Sequence, residues 1–117
     1  MTPEGKVKKE VKSYLQKEGI FHFMTVPCGY GMVGVPDILA CVPVLITPNM
    51  VGMTVGVFMG VETKAPGKIK NTTPNQKRML TDLANCRGVS VVTTDKAKVE
   101  EAVKLLRDVG IPMYYVP

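Results

Sequence analysis

The chain contains no tryptophan, one histidine and only three cysteines. Because the cysteines are odd in number and form no C-x-x-C pair, the sequence excludes a disulfide framework and a zinc ribbon. We therefore expect reduced thiols and a cytoplasmic protein. The first residues, MTPEGKVKKEV, are also too highly charged to form the apolar core of a signal peptide.

A long, uninterrupted apolar stretch is lacking as well. Residues 38–61 carry no charge, but they are interrupted at Pro43, Pro48, Asn49 and Gly52. A membrane-spanning helix and a membrane partner are therefore not predicted. We interpret this uncharged segment as two buried strands joined by a turn.

The composition is otherwise that of a folded protein, with 45% hydrophobic and 21% charged residues. A length of 117 residues suits one domain, residues 1–117, and excludes a second independent core. The 15 basic residues against 10 acidic ones leave a formal net charge of +5. This balance favours phosphate polyanions or anionic lipid as partners.

Capping residues and apolar periodicity predict an α/β fold with the element order α-β-β-β-α-β-α-β. Thr2 and Pro3 begin a helix over residues 3–18, and extending its apolar stripe backward turns Glu4 inward. Short runs rich in β-branched and aromatic residues predict the strands. They lie at residues 20–26, 38–45, 53–64, 89–93 and 113–116. We expect the second and third strands to pair as a hairpin.

Two further helices are predicted from their N-terminal residues. Thr73 and Gln76 form a capping box at the start of the second helix, which ends near Cys86. Thr94 and Asp95 cap the third helix. No internal repeat or linker separates these elements.

Asp37 is the only charged residue between positions 19 and 61, counting the histidine as neutral. A carboxylate on a buried sheet is costly unless a cation or hydrogen-bond donors accompany it, so Asp37 needs a partner. The next strand ends in the sequence ETK, and its two-residue period places Glu62 and Lys64 on one face. In a hairpin, the two carboxylates and the ammonium would converge.

Two carboxylates with room for water suit Mg²⁺, for which Mn²⁺ is expected to substitute. A lysine beside them can orient an attacking water and stabilise charge on a phosphate. Simpler interpretations stay open at this point. Asp37 can cap a turn after Pro36, and Glu62 and Lys64 can form a solvent-exposed ion pair.

Further residues point to a known family. The sequences GVPD at residues 34–37 and ETK at 62–64, in this element order, resemble the PD-(D/E)xK nuclease superfamily. That superfamily has a restriction-endonuclease-like core with a central mixed sheet flanked by helices. Glu4 in the first helix and the sequence TPNQKRML at the second helix are similar to its VRR-NUC branch. Small stand-alone members of that branch, common in phages and bacteria, resemble the whole chain.

The resemblance implies a metal-dependent DNA endonuclease that hydrolyses phosphodiester bonds. The residues that it implies for metal binding are Glu4, Asp37, Glu62 and the backbone carbonyl of Thr63. The residues that it implies for catalysis are Asp37, Glu62, Lys64 and Gln76. Two alternatives stay open: Glu4 can be an ordinary acid of a first helical turn, and the Gln76 side chain can be occupied by helix capping.

Basic residues follow the ETK sequence, and residues 63–81 include no acid. Such a segment beside a metal site is where a phosphate backbone is expected to lie. The predicted DNA contacts are Lys68, Lys70, Lys77 and Arg78. A solvated loop is the alternative for the first two. We interpret the lysines of the first helix, at positions 6, 8, 9 and 12, mostly as ordinary surface residues.

The stand-alone proteins that this chain resembles are associated with cutting four-way DNA junctions as homodimers. The leading hypothesis is therefore cleavage of Holliday junctions by a homodimer, whose two-fold symmetry matches paired incisions. Uncharged segments near Met32 and at residues 48–53 are candidates for the dimer interface. The alternatives are a nuclease acting on other branched or single-stranded DNA, and a DNA-binding accessory module without activity.

Overall fold

The computed structural model describes residues 1–26 and 34–109, together with the backbone of residues 114–116. Cys28 and the candidate interface residue Met32 lie outside these ranges. Within the described part of the chain, no helix has the length and apolar character needed to cross a membrane.

The predicted element order is confirmed in the described residues, which form an α/β chain with three helices and five strands. Two short 3₁₀ helices, Pro48–Met50 and Ile69–Asn71, are additional to the prediction. The chain divides into two compact units, Met1–Pro43 and Val44–Pro117. The described strands form two small sheets, one in each unit, instead of the single central mixed sheet that we expected.

The first unit contains helix α1 (Pro3–Lys17) and two antiparallel strands, β1 (Phe21–Met24) and β2 (Ile38–Cys41). Thr2 caps α1, because its hydroxyl accepts a hydrogen bond from the Gly5 amide at 3.0 Å. The helix therefore begins where the sequence predicts and ends one residue earlier than expected.

Few side chains are buried in this first unit. No residue of α1 is buried, and Val7, Val11 and Tyr14 of its apolar stripe are 57%, 41% and 58% exposed. The Glu4 side chain is 77% exposed, so its predicted inward position is wrong. A sheet of two short strands offers little apolar surface, which leaves the stripe largely uncovered.

The second unit is built on a parallel sheet in the order β3-β4-β5. Strand β3 is Met59–Thr63, β4 is Val89–Thr93 and β5 is Tyr114–Val116. Helices α2 (Pro74–Asn85) and α3 (Ala97–Val109) connect these strands in turn. All five residues of β4 are buried, as is typical of the middle strand of a parallel sheet.

Helix α2 packs closely on this sheet through Leu83, which is 3% exposed. A Cβ atom added at Gly60 of β3 would lie 2.8 Å from Leu83 Cδ2, so only glycine permits this approach without a shift of the leucine. The predicted capping box at the start of α2 is confirmed. The packing therefore holds the C-terminal part of α2 against β3.

The predicted hairpin of the second and third strands is wrong. Strand β2 pairs with β1, and β3 pairs with β4. Nearly all of residues 42–56 are exposed, whereas we expected buried strands there. Strand β2 ends at Cys41, and Pro43 lacks the amide hydrogen needed to continue a ladder of backbone hydrogen bonds.

Candidate functional site

Lys64 follows the last residue of β3 and continues its pairing with β4. Its backbone N–H donates to the Thr93 carbonyl at 2.9 Å. The Lys64 Nζ atom lies 3.9 Å from Glu62 Oε2, and the two side chains are 17% and 28% exposed. The sequence placed these residues on one face, and the structure shows them as a partly buried ion pair.

Gln76 connects this ion pair to the first turn of α2. Its Oε1 atom accepts hydrogen bonds from Lys64 Nζ at 3.0 Å and from the Thr73 amide at 2.9 Å. The backbone N–H of Gln76 in turn donates to the Thr73 hydroxyl at 3.1 Å. In the sequence, helix capping was the alternative to a catalytic role for Gln76. In the structure, the one Oε1 atom caps the helix and also bonds Lys64.

Lys64 also lines a cleft of about 390 Å³ in the second unit. Thr63 and Thr93, the last residues of β3 and β4, line it as well. In open parallel sheets, ligands bind outside the carboxyl ends of the strands. The cleft is also lined by Asp95, Lys96 and Glu100, whereas neither Glu62 nor Gln76 is among its lining residues.

The four basic residues predicted to contact DNA are all exposed. Lys68 and Lys70 lie at the short 3₁₀ helix that precedes α2, and Lys77 and Arg78 lie in the first turns of α2. Among the described residues, none of these four takes part in an ion pair. Their charges are therefore available to an external anion.

In the first unit, Thr25 holds the backbone of Asp37. The Thr25 amide donates to the Asp37 carbonyl at 2.9 Å, and the Thr25 hydroxyl donates to the Pro36 carbonyl at 2.6 Å. These bonds continue the ladder in which Met24 faces Ile38. Thr25 was not predicted, because nothing in the sequence indicates which residue faces Asp37.

The partner that Asp37 requires is Lys8 of α1. Lys8 Nζ lies 3.7 Å from Asp37 Oδ2 and 3.7 Å from Glu4 Oε1. The Asp37 side chain is 60% exposed, so the expectation of a buried carboxylate is wrong. Lys8 was interpreted as surface, although its spacing of four residues from Glu4 is a known signal of an ion pair on a helix.

The candidate residues thus form one group in each unit. Glu4 and Asp37 share an ammonium in the first, while Glu62, Lys64 and Gln76 are in contact in the second. Because the expected hairpin is absent, strand pairing no longer argues that the two groups converge. Within residues 1–26 and 34–109, no three His, Cys, Asp or Glu side chains are placed to hold a metal.

The oxygen donors in each group nevertheless fit Mg²⁺ by their chemistry. Mg²⁺ prefers hard oxygen ligands, keeps several waters and is usually bound by one or two protein carboxylates. Glu4 and Asp37 supply two carboxylates in the first unit. Glu62 supplies one in the second, next to the Thr63 carbonyl. A cluster of three acidic side chains is not needed for such a site.

Comparison of the chain with models of protein families, with curated proteins and with solved structures found no match. The resemblance to the VRR-NUC branch therefore depends on the residues of this chain alone. The features that carry the resemblance are Glu4, the GVPD and ETK sequences and the helix that begins with the capping box.

Proposed function

We propose that this protein is a Mg²⁺-dependent endonuclease that hydrolyses phosphodiester bonds in DNA. The observation that carries the proposal is the contact of Lys64 with both Glu62 and Gln76 at the end of β3. A lysine that is held in place and partly withdrawn from water can stabilise charge on a phosphate.

The hydrogen-bonding capacity of Lys64 supports this role. An ammonium group has three N–H donors. Gln76 Oε1 accepts one of them at 3.0 Å, and Glu62 attracts the same ammonium from 3.9 Å. At least one donor remains for a phosphate oxygen or for the attacking water. Gln76 acts in this proposal by positioning the amine, since its oxygen is bonded to Lys64.

The acidic residues have a separate role in the proposal. In the first unit, the residues that would hold Mg²⁺ are Glu4 and Asp37; in the second unit, they are Glu62 and the carbonyl of Thr63. Mg²⁺, when bound, polarises a phosphoryl oxygen and makes a water molecule more acidic. The carboxylates of each group contribute the negative charge that attracts such an ion.

Basic residues supply affinity for the DNA backbone. Lys68, Lys70, Lys77 and Arg78 are exposed, and they belong to a chain with a formal net charge of +5. Cations of this kind bind phosphates without reading the base sequence. This suits an enzyme that recognises the shape of its substrate, and we propose a four-way junction as that substrate.

A homodimer is the second part of this proposal. The uncharged segment of the second unit is unusually exposed: Val44, Leu45, Val51 and Met53 are 58%, 84%, 80% and 64% exposed. The cores of protein interfaces are depleted of charged residues, as this segment is. Light scattering at micromolar concentration tests the dimer, and a strict monomer that cuts junctions symmetrically would contradict it.

The experiment that tests the function is cleavage of a four-way junction, a duplex and a single strand, each with Mg²⁺ or with EDTA. We expect EDTA-sensitive cleavage of the junction, lost in Asp37→Asn and in Glu62→Gln while binding persists. Retention of cleavage within tenfold in both variants would contradict the assignment of Asp37 and Glu62 to the active site. EDTA-sensitive cleavage of another DNA would change the substrate only.

Lys64→Ala tests the lysine separately. We expect a loss of about 100-fold or more in the cleavage rate at saturating DNA, because Lys64 acts on the reacting phosphate. Lys104→Ala removes an exposed lysine of α3 as the matched control and should change the rate less than twofold. Lys68→Ala with Lys70→Ala should instead weaken binding and reduce its dependence on salt.

A DNA-binding accessory module is the second candidate function, favoured by the exposed basic residues that have no ion pair among the described residues. It predicts binding that survives EDTA, with no cleavage of any substrate. The same set of reactions therefore distinguishes the two candidates.

A further inference from the structure

Lys8 places one ammonium beside two carboxylates from different parts of the first unit. Its Nζ atom lies 3.7 Å from Oε1 of Glu4, one helical turn earlier in α1, and 3.7 Å from Oδ2 of Asp37, the residue before β2. The Lys8 side chain is the least exposed of the three, at 39% against 77% and 60%. The lysine therefore connects α1 to the start of β2.

The two contacts are easily exchanged. At 3.7 Å they are ion pairs that are longer than ordinary hydrogen bonds, and the carboxylates remain open to water. Within the described residues, Lys8 Nζ has no hydrogen bond that would hold it in place by other means. A cation of higher charge can therefore displace the Lys8 ammonium from the carboxylate oxygens.

We propose that Lys8 is the counter-ion of Glu4 and Asp37 in the metal-free protein, and that a divalent cation competes with it for these carboxylates. The inference rests on the proposed function, since it takes Glu4 and Asp37 as metal ligands. Mg²⁺ and Mn²⁺ bind through the oxygen atoms that the ammonium now attracts. A metal ion that binds through these oxygen atoms therefore displaces the lysine.

If Lys8 competes with the metal ion, its removal has a different effect from the one expected if Lys8 only supports the carboxylates structurally. A lysine that only holds the carboxylates in place would, when removed, lower both the stability of the metal-free protein and its affinity for metal. A competing lysine stabilises the metal-free protein but weakens metal binding. Its removal therefore changes the two quantities in opposite directions.

The test is calorimetric titration of Mn²⁺ alone, and of Mg²⁺ alone, into the whole protein without DNA. Lys8→Met removes the charge and keeps the length of the side chain. We expect its Kd for Mn²⁺ to fall by about threefold to tenfold, the range that two exposed ion pairs supply. Thermal unfolding of the metal-free variant should occur at a slightly lower temperature.

Lys12→Met is the matched control. Lys12 lies one turn further along α1, is exposed and has no ion pair among the described residues. The control removes the same charge from the same helix, so it reports the general effect of net charge on metal affinity. We expect its Kd to change less than twofold. Lys8→Arg keeps the charge and should stay within twofold of the original protein.

Asp37→Asn separates failure of this inference from failure of the proposed function. If Asp37→Asn weakens Mn²⁺ binding but Lys8→Met behaves like Lys12→Met, the role of Lys8 is overturned and the metal site stands. A weaker affinity in Lys8→Met overturns it in the same way. If Asp37→Asn leaves Mn²⁺ binding unchanged, or the ion does not bind at all, both are overturned.

Discussion

The two compact units hold their candidate functional residues by different means. In the second unit, Glu62 and Lys64 lie beside β4, a strand with no exposed residue, and their side chains are 28% and 17% exposed. In the first unit, Glu4 and Asp37 meet Lys8 at the surface, and α1 has no buried residue. One group is supported by a core and the other by surface ion pairs.

This difference suits the roles that we propose for the two groups. A lysine that acts on a reacting phosphate must keep its position within a fraction of an ångström, which a buried sheet and a capped helix provide. Carboxylates that exchange an ammonium for a metal ion need only stay near each other, because water can complete the coordination of Mg²⁺. The structure thus places one group beside a buried strand and the other group at the surface.

Leu83→Ala is the change with the largest expected effect on this comparison. Leu83 is 3% exposed and packs against β3, so we expect a loss of about 3 kcal/mol in the free energy of unfolding. Val11→Ala in α1, where the side chain is 41% exposed, should cost less than about 1 kcal/mol. Urea unfolding measures both, and equal losses would contradict a core that lies mostly in the second unit.

Amide hydrogen exchange should show the same difference without any substitution. We expect the amides of β4 to be the most protected in the chain, with protection about 100-fold or more above that of α1. The physical reason is that opening β4 exposes a buried strand, whereas opening α1 exposes little that is buried. Equal protection of the two elements would mean that the first unit is as firmly held as the second.

Thr25→Val tests how Asp37 is held in position in the first unit. The change removes the hydroxyl that donates to the Pro36 carbonyl at 2.6 Å and keeps the shape of the side chain. We expect a loss of about 1 kcal/mol in stability and weaker Mn²⁺ binding, because the Pro36–Asp37 backbone loses one of its two anchors. Thr25→Ser keeps the hydroxyl and serves as the control. If both variants behave like the original protein, Thr25 does not position Asp37.

Arg87→Gly should have the smallest effect and the opposite sign. Arg87 follows Cys86, the C-cap of α2, and has a φ angle of 72°, which is unfavourable for a residue with a side chain. Glycine adopts this conformation freely, so we expect the free energy of unfolding to rise by about 0.5 kcal/mol. Arg87→Ala keeps the unfavourable conformation and should give no gain in thermal unfolding. A loss in both variants would show that the arginine side chain itself stabilises the helix end.

Most of the local structure was predictable from single residues and short spacings. Thr2 and Thr73 begin helices where their capping role predicts. The element order followed from short apolar runs and turn residues. The candidate residues of the second unit were predictable for the same reason, since Glu62 and Lys64 are two residues apart in one strand.

The pairing of strands was not predictable in this way. Every strand offers the same backbone N–H and C=O groups for hydrogen bonding. The alternation of side chains along a strand therefore does not indicate which other strand it will pair with. The expected hairpin between the second and third strands was wrong for this reason. The argument from strand geometry that placed Asp37 next to Glu62 is therefore lost.

The sequence by itself therefore determined what depends on neighbours along the chain: the helix caps, the element order and the Glu62–Lys64 pair. Only the tertiary structure decided that Lys8 meets Asp37 and that Gln76 Oε1 bonds Lys64 as well as its own helix end. These contacts join residues far apart in the chain. They form because packing, such as that of Leu83 on β3, fixes distances that no local pattern contains.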